Sequence, residues 1–92
     1  MQDHLDKLDV LADDRSAWAL SLTRYTAQVG NLKLTIDQDE VGTSWMVEDT
    51  DQEKVVSNGW KPEATLRRSM KECTDFARAY LLVVANPEHI ED

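Results

Sequence analysis

The segment "LKLTIDQDEVGTSWMVE", residues 32–48, contains two stretches of alternating side chains separated by a polar loop. Apolar residues occupy every second position in both stretches, namely Leu32, Leu34, Ile36, Trp45 and Val47. A period of two is typical of a β-strand with one buried face, and the Asp and Gly residues between the stretches favour a turn. The segment therefore predicts an antiparallel hairpin with Trp45 and Val47 in the core.

Turn signals on both sides extend this hairpin into a meander. "GN" at 30–31 is typical of a two-residue hairpin turn, and "DTDQ" at 49–52 predicts the turn after the second strand. "KVVS" at 54–57 then predicts a short further strand, and "NG" at 58–59 predicts another turn directly after it.

The segment before the hairpin leaves two interpretations open. Its alternation changes phase, from Trp18, Leu20 and Leu22 to Tyr25, Ala27 and Val29. A bulge or bend near residues 23–24 would explain this change within a single strand. Alternatively, residues 17–22 are helical and the strand begins near Arg24.

Two amphipathic helices are predicted to flank the strands. Residues 2–13 place leucines at a spacing of three, and residues 62–85 carry a longer apolar stripe. The stripe comprises Leu66, Met70, Cys73, Ala77, Leu81 and Val84. Pro62 suits the first turn of the second helix, and Asn86–Pro87 suits its end. Residues 86–92 are expected to fray.

These elements predict an α+β fold in one domain spanning residues 1–92. A short N-terminal helix precedes an antiparallel meander of three or four strands, and a long C-terminal helix packs on one face of the sheet. The opposite face is expected to be open or partly covered by the first helix.

Composition narrows the class of function. The chain carries 18 acidic and 10 basic residues, a net charge of −8, which disfavours nucleic acid and anionic membranes as partners and favours basic proteins. No apolar run approaches a membrane span, and no leader pattern follows Met1, so we expect a cytoplasmic protein. The single Cys73 lies on the helical stripe and is predicted to be a buried, inert thiol.

The chain contains no recognisable catalytic motif. It has no GxSxG, P-loop or HExxH sequence, and its two histidines lie towards opposite ends. We therefore predict a protein that is not an enzyme and that uses no cofactor.

Acidic residues are concentrated around the central hairpin. Seven acids and no basic residue occur between Ile36 and Glu53, namely Asp37, Asp39, Glu40, Glu48, Asp49, Asp51 and Glu53. In the predicted hairpin they form clusters at the two ends of the sheet. They are either solvated turn residues or a surface that docks onto a basic partner.

Part of this acidic segment matches a calcium loop. Asp37, Asp39, Gly42 and Glu48 occupy positions 1, 3, 6 and 12 of an EF-hand loop. However, Val41 stands where a ligand is required, and the flanking segments have strand periodicity instead of helical periodicity. We therefore predict a turn and no metal site.

A basic group around the start of the second helix supports an alternative. Its members are Lys61, Arg67, Arg68 and Lys71. Helix, strands and a helix with a basic start resemble the layout of a double-stranded-RNA-binding domain, which implies phosphate contacts from these residues. Glu63 and the net charge of −8 depart from that family's pattern.

Trp60, in "NGWKP", is the candidate anchor for a protein partner, because tryptophan is enriched in binding hot spots. Covering the start of the second helix is its alternative role. Trp18 and Trp45 are instead predicted core residues.

In size, acidity and lack of catalytic motifs, the chain resembles small inhibitors of phages and mobile elements, the anti-CRISPR proteins among them. The resemblance is at the level of class and assigns no role to any residue. It implies an inhibitor or adaptor that acts in the cytoplasm of a bacterial host and docks on a basic, nucleic-acid-binding complex of bacterial defence. A nucleic-acid-binding module, a structural homodimer and a toxin-immunity protein are the alternatives.

Overall fold

A computed structural model describes residues 2–62 and 65–85 of the chain. Within them it contains two α-helices, one 3₁₀ helix and five strands. These are α1 (Gln2–Asp13), the 3₁₀ helix (Arg15–Ala17), β1 (Ala19–Ser21), β2 (Arg24–Val29), β3 (Leu32–Gln38), β4 (Thr43–Asp49), β5 (Lys54–Lys61) and α2 (Leu66–Ala85). The predicted helix end at Asn86–Pro87, the predicted frayed tail and Glu63 lie outside the described residues.

The five strands form one antiparallel sheet in the order β1-β2-β3-β4-β5. The central hairpin is as predicted, since Ile36 lies opposite Trp45 and Leu34 lies opposite Val47. All four side chains belong to a single hydrophobic core beneath the helices. The α+β prediction is confirmed, although the sheet has five strands instead of three or four.

The change of phase before β2 comes from a hairpin. The bulge or bend within one strand and the helix over residues 17–22 are wrong, whereas the expected strand start near Arg24 is confirmed. Ser21 lies opposite Arg24 and Leu20 lies opposite Tyr25, so a two-residue turn joins β1 to β2. Leu22 in this turn has φ 58° and is 95% exposed. A leucine is an unfavourable choice for left-handed backbone, which is why the sequence carries no turn signal there.

The predicted turn at residues 58–59 is also wrong, because β5 continues through it to Lys61. Gly59 lies opposite Trp45, and a Cβ atom on it would stand 2.6 Å from the indole Nε1. The glycine therefore makes room for the tryptophan ring, and this tertiary contact overrides the local turn preference.

Both helices cover the same face of the sheet. α1 contacts α2 and β2, and Leu8 and Leu11 are fully buried in the same core as the sheet residues. Of the two arrangements expected for the opposite face, the open one is therefore found, and no described helix packs there. The two helices run antiparallel, since Arg67 near the start of α2 pairs with Asp13 at the end of α1.

α2 begins at Leu66, four residues after the predicted start at Pro62. The hydroxyl of Thr65 accepts the amide N–H of Arg68 at 3.1 Å, so Thr65 caps the helix. The predicted stripe faces the core as far as it is described: Met70, Cys73, Ala77 and Leu81 are buried, and the side chain of Val84 lies outside the description. Burial raises the pKa of the Cys73 thiol to about 12, in agreement with the predicted inert thiol.

Candidate functional site

The acids of the central hairpin lie at opposite ends of the sheet, as expected. The β3–β4 connection, residues 39–42, is called loop 39–42 below. The β4–β5 connection, residues 50–53, is called turn 50–53. Asp37, Asp39 and Glu40 belong to the first end, and Glu48, Asp49, Asp51 and Glu53 belong to the second.

At loop 39–42, two of the three carboxylates are engaged within the protein. Asp37 Oδ1 accepts the Arg24 Nε–H at 3.0 Å, in an exposed cross-strand ion pair. Asp39 Oδ1 accepts the backbone N–H groups of Val41 and Gly42, both at 2.9 Å. Asp39 thus stabilises its own turn. Only Glu40 presents a carboxylate that the described residues leave without a partner.

The same geometry excludes the calcium loop. Glu48 lies opposite Lys33, four residues along β3 from Asp37, which separates the two acids by about 13 Å. Asp39 directs its carboxylate at its own loop. Within the described residues, no group of three or more His, Cys, Asp or Glu side chains is arranged to hold a metal ion.

Asp49 is a buried structural acid and must be removed from the expected docking surface. It is 1% exposed at the end of β4. Oδ2 accepts the Tyr80 hydroxyl at 2.6 Å, and Oδ1 accepts the Asn31 amide at 2.8 Å and the N–H groups of Asp51 and Gln52. The Tyr80 hydrogen bond is the largest cause that lowers the pKa of Asp49, and it raises the pKa of Tyr80 to about 12.

These contacts fix turn 50–53 in place. The Asp49 carboxylate joins the turn to α2 through Tyr80 and to the β2–β3 turn through Asn31. Thr50 adds two further bonds, because its N–H and its hydroxyl both donate to the Asn31 carbonyl, at 2.8 and 2.9 Å. The turn is therefore held from two other elements of the fold, α2 and the β2–β3 turn.

The carboxylates that this anchored turn presents to solvent have no cation partner among the described residues. Asp51 and Glu53 are exposed, and Glu48 is half-buried on the adjoining open face. Glu53 has φ 52°, a left-handed conformation that costs a non-glycine residue roughly 1–2 kcal/mol. A shallow depression of about 320 Å³ beside the turn is lined by Glu48, Glu53 and Lys54, among others.

The basic residues at the start of α2 are largely neutralised from within. Arg67 pairs with Asp13 at 2.9 Å, and Arg68 pairs with Glu72 at 3.3 Å along the helix. Further along α2, Arg78 pairs with Asp9. Lys71 is the one member of the predicted basic surface that is described without such a pair, and the side chain of Lys61 lies outside the description.

Trp60 is 55% exposed on the open face of the sheet, whereas Trp18 and Trp45 are buried. The structure surrounds it with residues that sequence reasoning did not single out as a site, including Ser44 and Asn58. Period two places Ser44 outside the core, but "NG" at 58–59 pointed to a turn and so concealed the strand that aligns Trp60 with Ser44.

No protein-family model, curated protein or solved structure matches the chain. In the part of the chain that the structure describes, neither helix combines the length and the apolar composition that a membrane span needs.

Proposed function

We propose that this chain is a non-enzymatic, protein-binding inhibitor or adaptor that docks on a basic, nucleic-acid-binding partner through turn 50–53. One observation carries the proposal. Asp51 and Glu53 are exposed without a cation partner among the described residues, on a turn that the hydrogen bonds of the buried Asp49 hold in place. Glu48, on the adjoining open face, extends the same anionic surface.

The anchoring of the turn by these hydrogen bonds supports a role in binding. A preorganised contact loses less conformational entropy when a partner binds, and carboxylates in fixed positions can accept charge-assisted hydrogen bonds from Arg and Lys. The net charge of −8 also accelerates association with a basic protein at low salt. The surface therefore suits a groove that otherwise holds a phosphate backbone.

A partner from a bacterial defence complex of the CRISPR type is the most concrete form of this proposal. It rests on the class-level resemblance to small acidic inhibitors of phages. A toxin would be bound by an immunity protein through the same kind of surface, and the identity of the captured partner separates these two versions.

Direct nucleic-acid binding is the less supported alternative. It requires free cations at the start of α2, but Arg67 and Arg68 are each paired with a carboxylate of the same chain. Phosphate contacts would have to break these pairs within a strongly negative field.

A homodimer through sheet edges is also less supported. β1 has only three residues, and β5 carries an irregularity opposite Val47 and Glu48 that disturbs its ladder. Short edge strands and bulges are devices that oppose pairing between sheets.

A capture experiment with matched variants tests the proposal. Asp51→Asn/Glu53→Gln removes two charges at turn 50–53, and Glu40→Gln/Asp75→Asn removes two exposed charges elsewhere. Immobilised wild-type protein is expected to retain a basic, nucleic-acid-binding protein from bacterial lysate at low salt and to release it at high salt. The first variant should bind the purified partner at least tenfold more weakly, and the second should bind within about twofold of wild type.

Equal binding by both variants would refute the role of turn 50–53. Retention of nucleic acid without protein would favour the alternative at the start of α2. Competition by RNA or DNA for the captured partner is the expected sign that the surface occupies a nucleic-acid groove.

A further inference from the structure

We propose that the open face of the sheet carries a second contact for the same partner, a cleft between Trp60 and Asp37 that receives one arginine side chain. This inference rests on the proposed function in one respect, namely that the partner is a basic protein. It adds a site on a different surface and specifies the side chain that the site recognises.

The cleft follows from the register of three strands. Asp37, Ser44 and Trp60 lie side by side across β3, β4 and β5. Two strand spacings, roughly 10 Å, separate Asp37 from Trp60. The small side chain of Ser44 between them leaves a depression in the surface. Asn58 and Met46, in the next row, border the same depression, whose volume is about 300 Å³.

The walls of the cleft present the two groups that recognise a guanidinium. Trp60 exposes the indole, and the face of a tryptophan ring attracts a cation. Asp37 uses Oδ1 for Arg24, and Oδ2 has no protein donor among the described residues. A planar guanidinium can stack on the ring and donate to this free oxygen.

Charge decides which occupant the cleft favours. Among the residues that line it, Asp37 is the only charged one. A phosphate group would meet this carboxylate beside a cation, Arg24, that is already paired with it. A second copy of the chain, related by a twofold axis, would be repelled by the net charge of −8 that both copies carry. An arginine from a basic protein is complementary to both walls.

Nuclear magnetic resonance with a short peptide tests the cleft directly. The probe is an acetylated and amidated Gly-Gly-Arg-Gly-Gly peptide, and the same peptide with citrulline in place of arginine is its uncharged control. The arginine peptide should shift the indole N–H signal of Trp60 and the side-chain amide signal of Asn58 and saturate in the millimolar range, since one side chain gives weak affinity. The indole signal of the buried Trp18, which does not line the cleft, should stay in place.

Variants assign the response to the two walls. Trp60→Ala and Asp37→Asn should each weaken the peptide response of the Asn58 amide at least fivefold. Both positions are exposed or partly exposed, and unchanged backbone signals in the core strands will verify the fold. Asp51→Asn/Glu53→Gln should leave the peptide response unchanged, so failure of the cleft and failure of turn 50–53 give different results.

Three outcomes would overturn the inference. One is the absence of a shift at Trp60, and another is an equal shift with the citrulline peptide, which would show that charge is not recognised. The third is a shift of the same signals with protein concentration alone, which would mean that a second copy occupies the face.

Discussion

Loop 39–42 and turn 50–53 are similar in acidity and different in the contacts that their carboxylates make. Both join strands of the central sheet and both are rich in acidic residues. At loop 39–42, Asp39 caps the backbone of its own loop, and neighbouring Asp37 pairs with Arg24. At turn 50–53, the buried Asp49 takes the structural role, which leaves Asp51 and Glu53 free in solvent.

The difference shows that acidity alone does not identify a docking surface. A carboxylate that satisfies its own backbone is committed to folding, whereas an exposed carboxylate beside a buried anchor is held in position for an external partner. The contacts of each acid, and not the number of acids, distinguish the two ends of the sheet.

The largest expected effect comes from the anchor itself. Asp49→Ala leaves the Tyr80 hydroxyl, the Asn31 amide and two backbone N–H groups without their acceptor. We expect the melting temperature to fall by on the order of 10 °C. Asp39→Ala is the matched change at loop 39–42 and should lower it by only a few degrees, because it leaves two N–H groups without their acceptor instead of four donors, and one of the two is on the exposed Val41. Similar losses in the two variants, measured by thermal unfolding, would contradict the difference between the ends.

Low pH should destabilise the protein through the same buried carboxylate, Asp49. The pKa of Asp49 is lowered in the folded state, so its stabilisation is complete above the usual value of 3.8 and is lost as the pH falls through the folded pKa. The free energy of unfolding of the wild type should therefore decrease below about pH 4. Asp49→Asn should show a smaller decrease, as measured by urea unfolding across this range.

High pH provides the reciprocal test, on the Tyr80 hydroxyl that donates to Asp49. The pKa of Tyr80 is raised to about 12, so its contribution is present below the usual value of 10 and is lost as the pH rises through about 12. Asp49→Asn should return the Tyr80 titration towards 10, measured by the ultraviolet absorbance of the phenolate. An unchanged titration would mean that Asp49 does not control the Tyr80 proton.

Tyr80→Phe removes one bond of the anchor and should have a smaller effect than loss of the carboxylate. The expected decrease in melting temperature is about 5 °C, since one hydrogen bond to a charged group is lost and the ring is retained. Binding of the partner should weaken as well, because α2 no longer holds turn 50–53. A variant that loses stability but binds as the wild type does would show that this link is not needed for docking.

The smallest expected effect is a gain in stability. Glu53→Gly relieves the left-handed strain at φ 52° and should raise the free energy of unfolding by up to about 1 kcal/mol. The same change removes a docking carboxylate, so affinity for the partner should fall. Leu22→Gly relieves similar strain far from turn 50–53 and should stabilise the protein without changing affinity. A loss of affinity in both variants would point to a general effect of backbone flexibility.

Much of the fold was predictable because it depends on the local periodicity of apolar residues. Alternation placed Trp45 and Val47 in the core, and the helical stripe placed Cys73 there. The additional strand, β1, was not predictable. It has only three residues, and its turn uses Leu22 in a conformation that leucine rarely adopts. The turn expected at residues 58–59 failed because the contact between Gly59 and Trp45 decides that position.

The candidate site was predictable only as a list of acids. Asp49 lies 18 residues from Asn31 and 31 residues from Tyr80, so no local pattern reveals that it is buried. Arg67 lies 54 residues from Asp13, so the sequence alone presented it as a free cation. Trp60 was singled out from its type, but the cleft beside it depends on the register of three strands.

The sequence by itself determined the α+β class, the central hairpin, both helices and the strongly negative charge, because each depends on residue type and short-range spacing. Only the tertiary structure decided which carboxylates are committed to folding and which are exposed on an anchored turn. The physical reason is that a charge is satisfied by whatever lies within a few ångströms of it. In this protein, most of those neighbours come from distant parts of the chain.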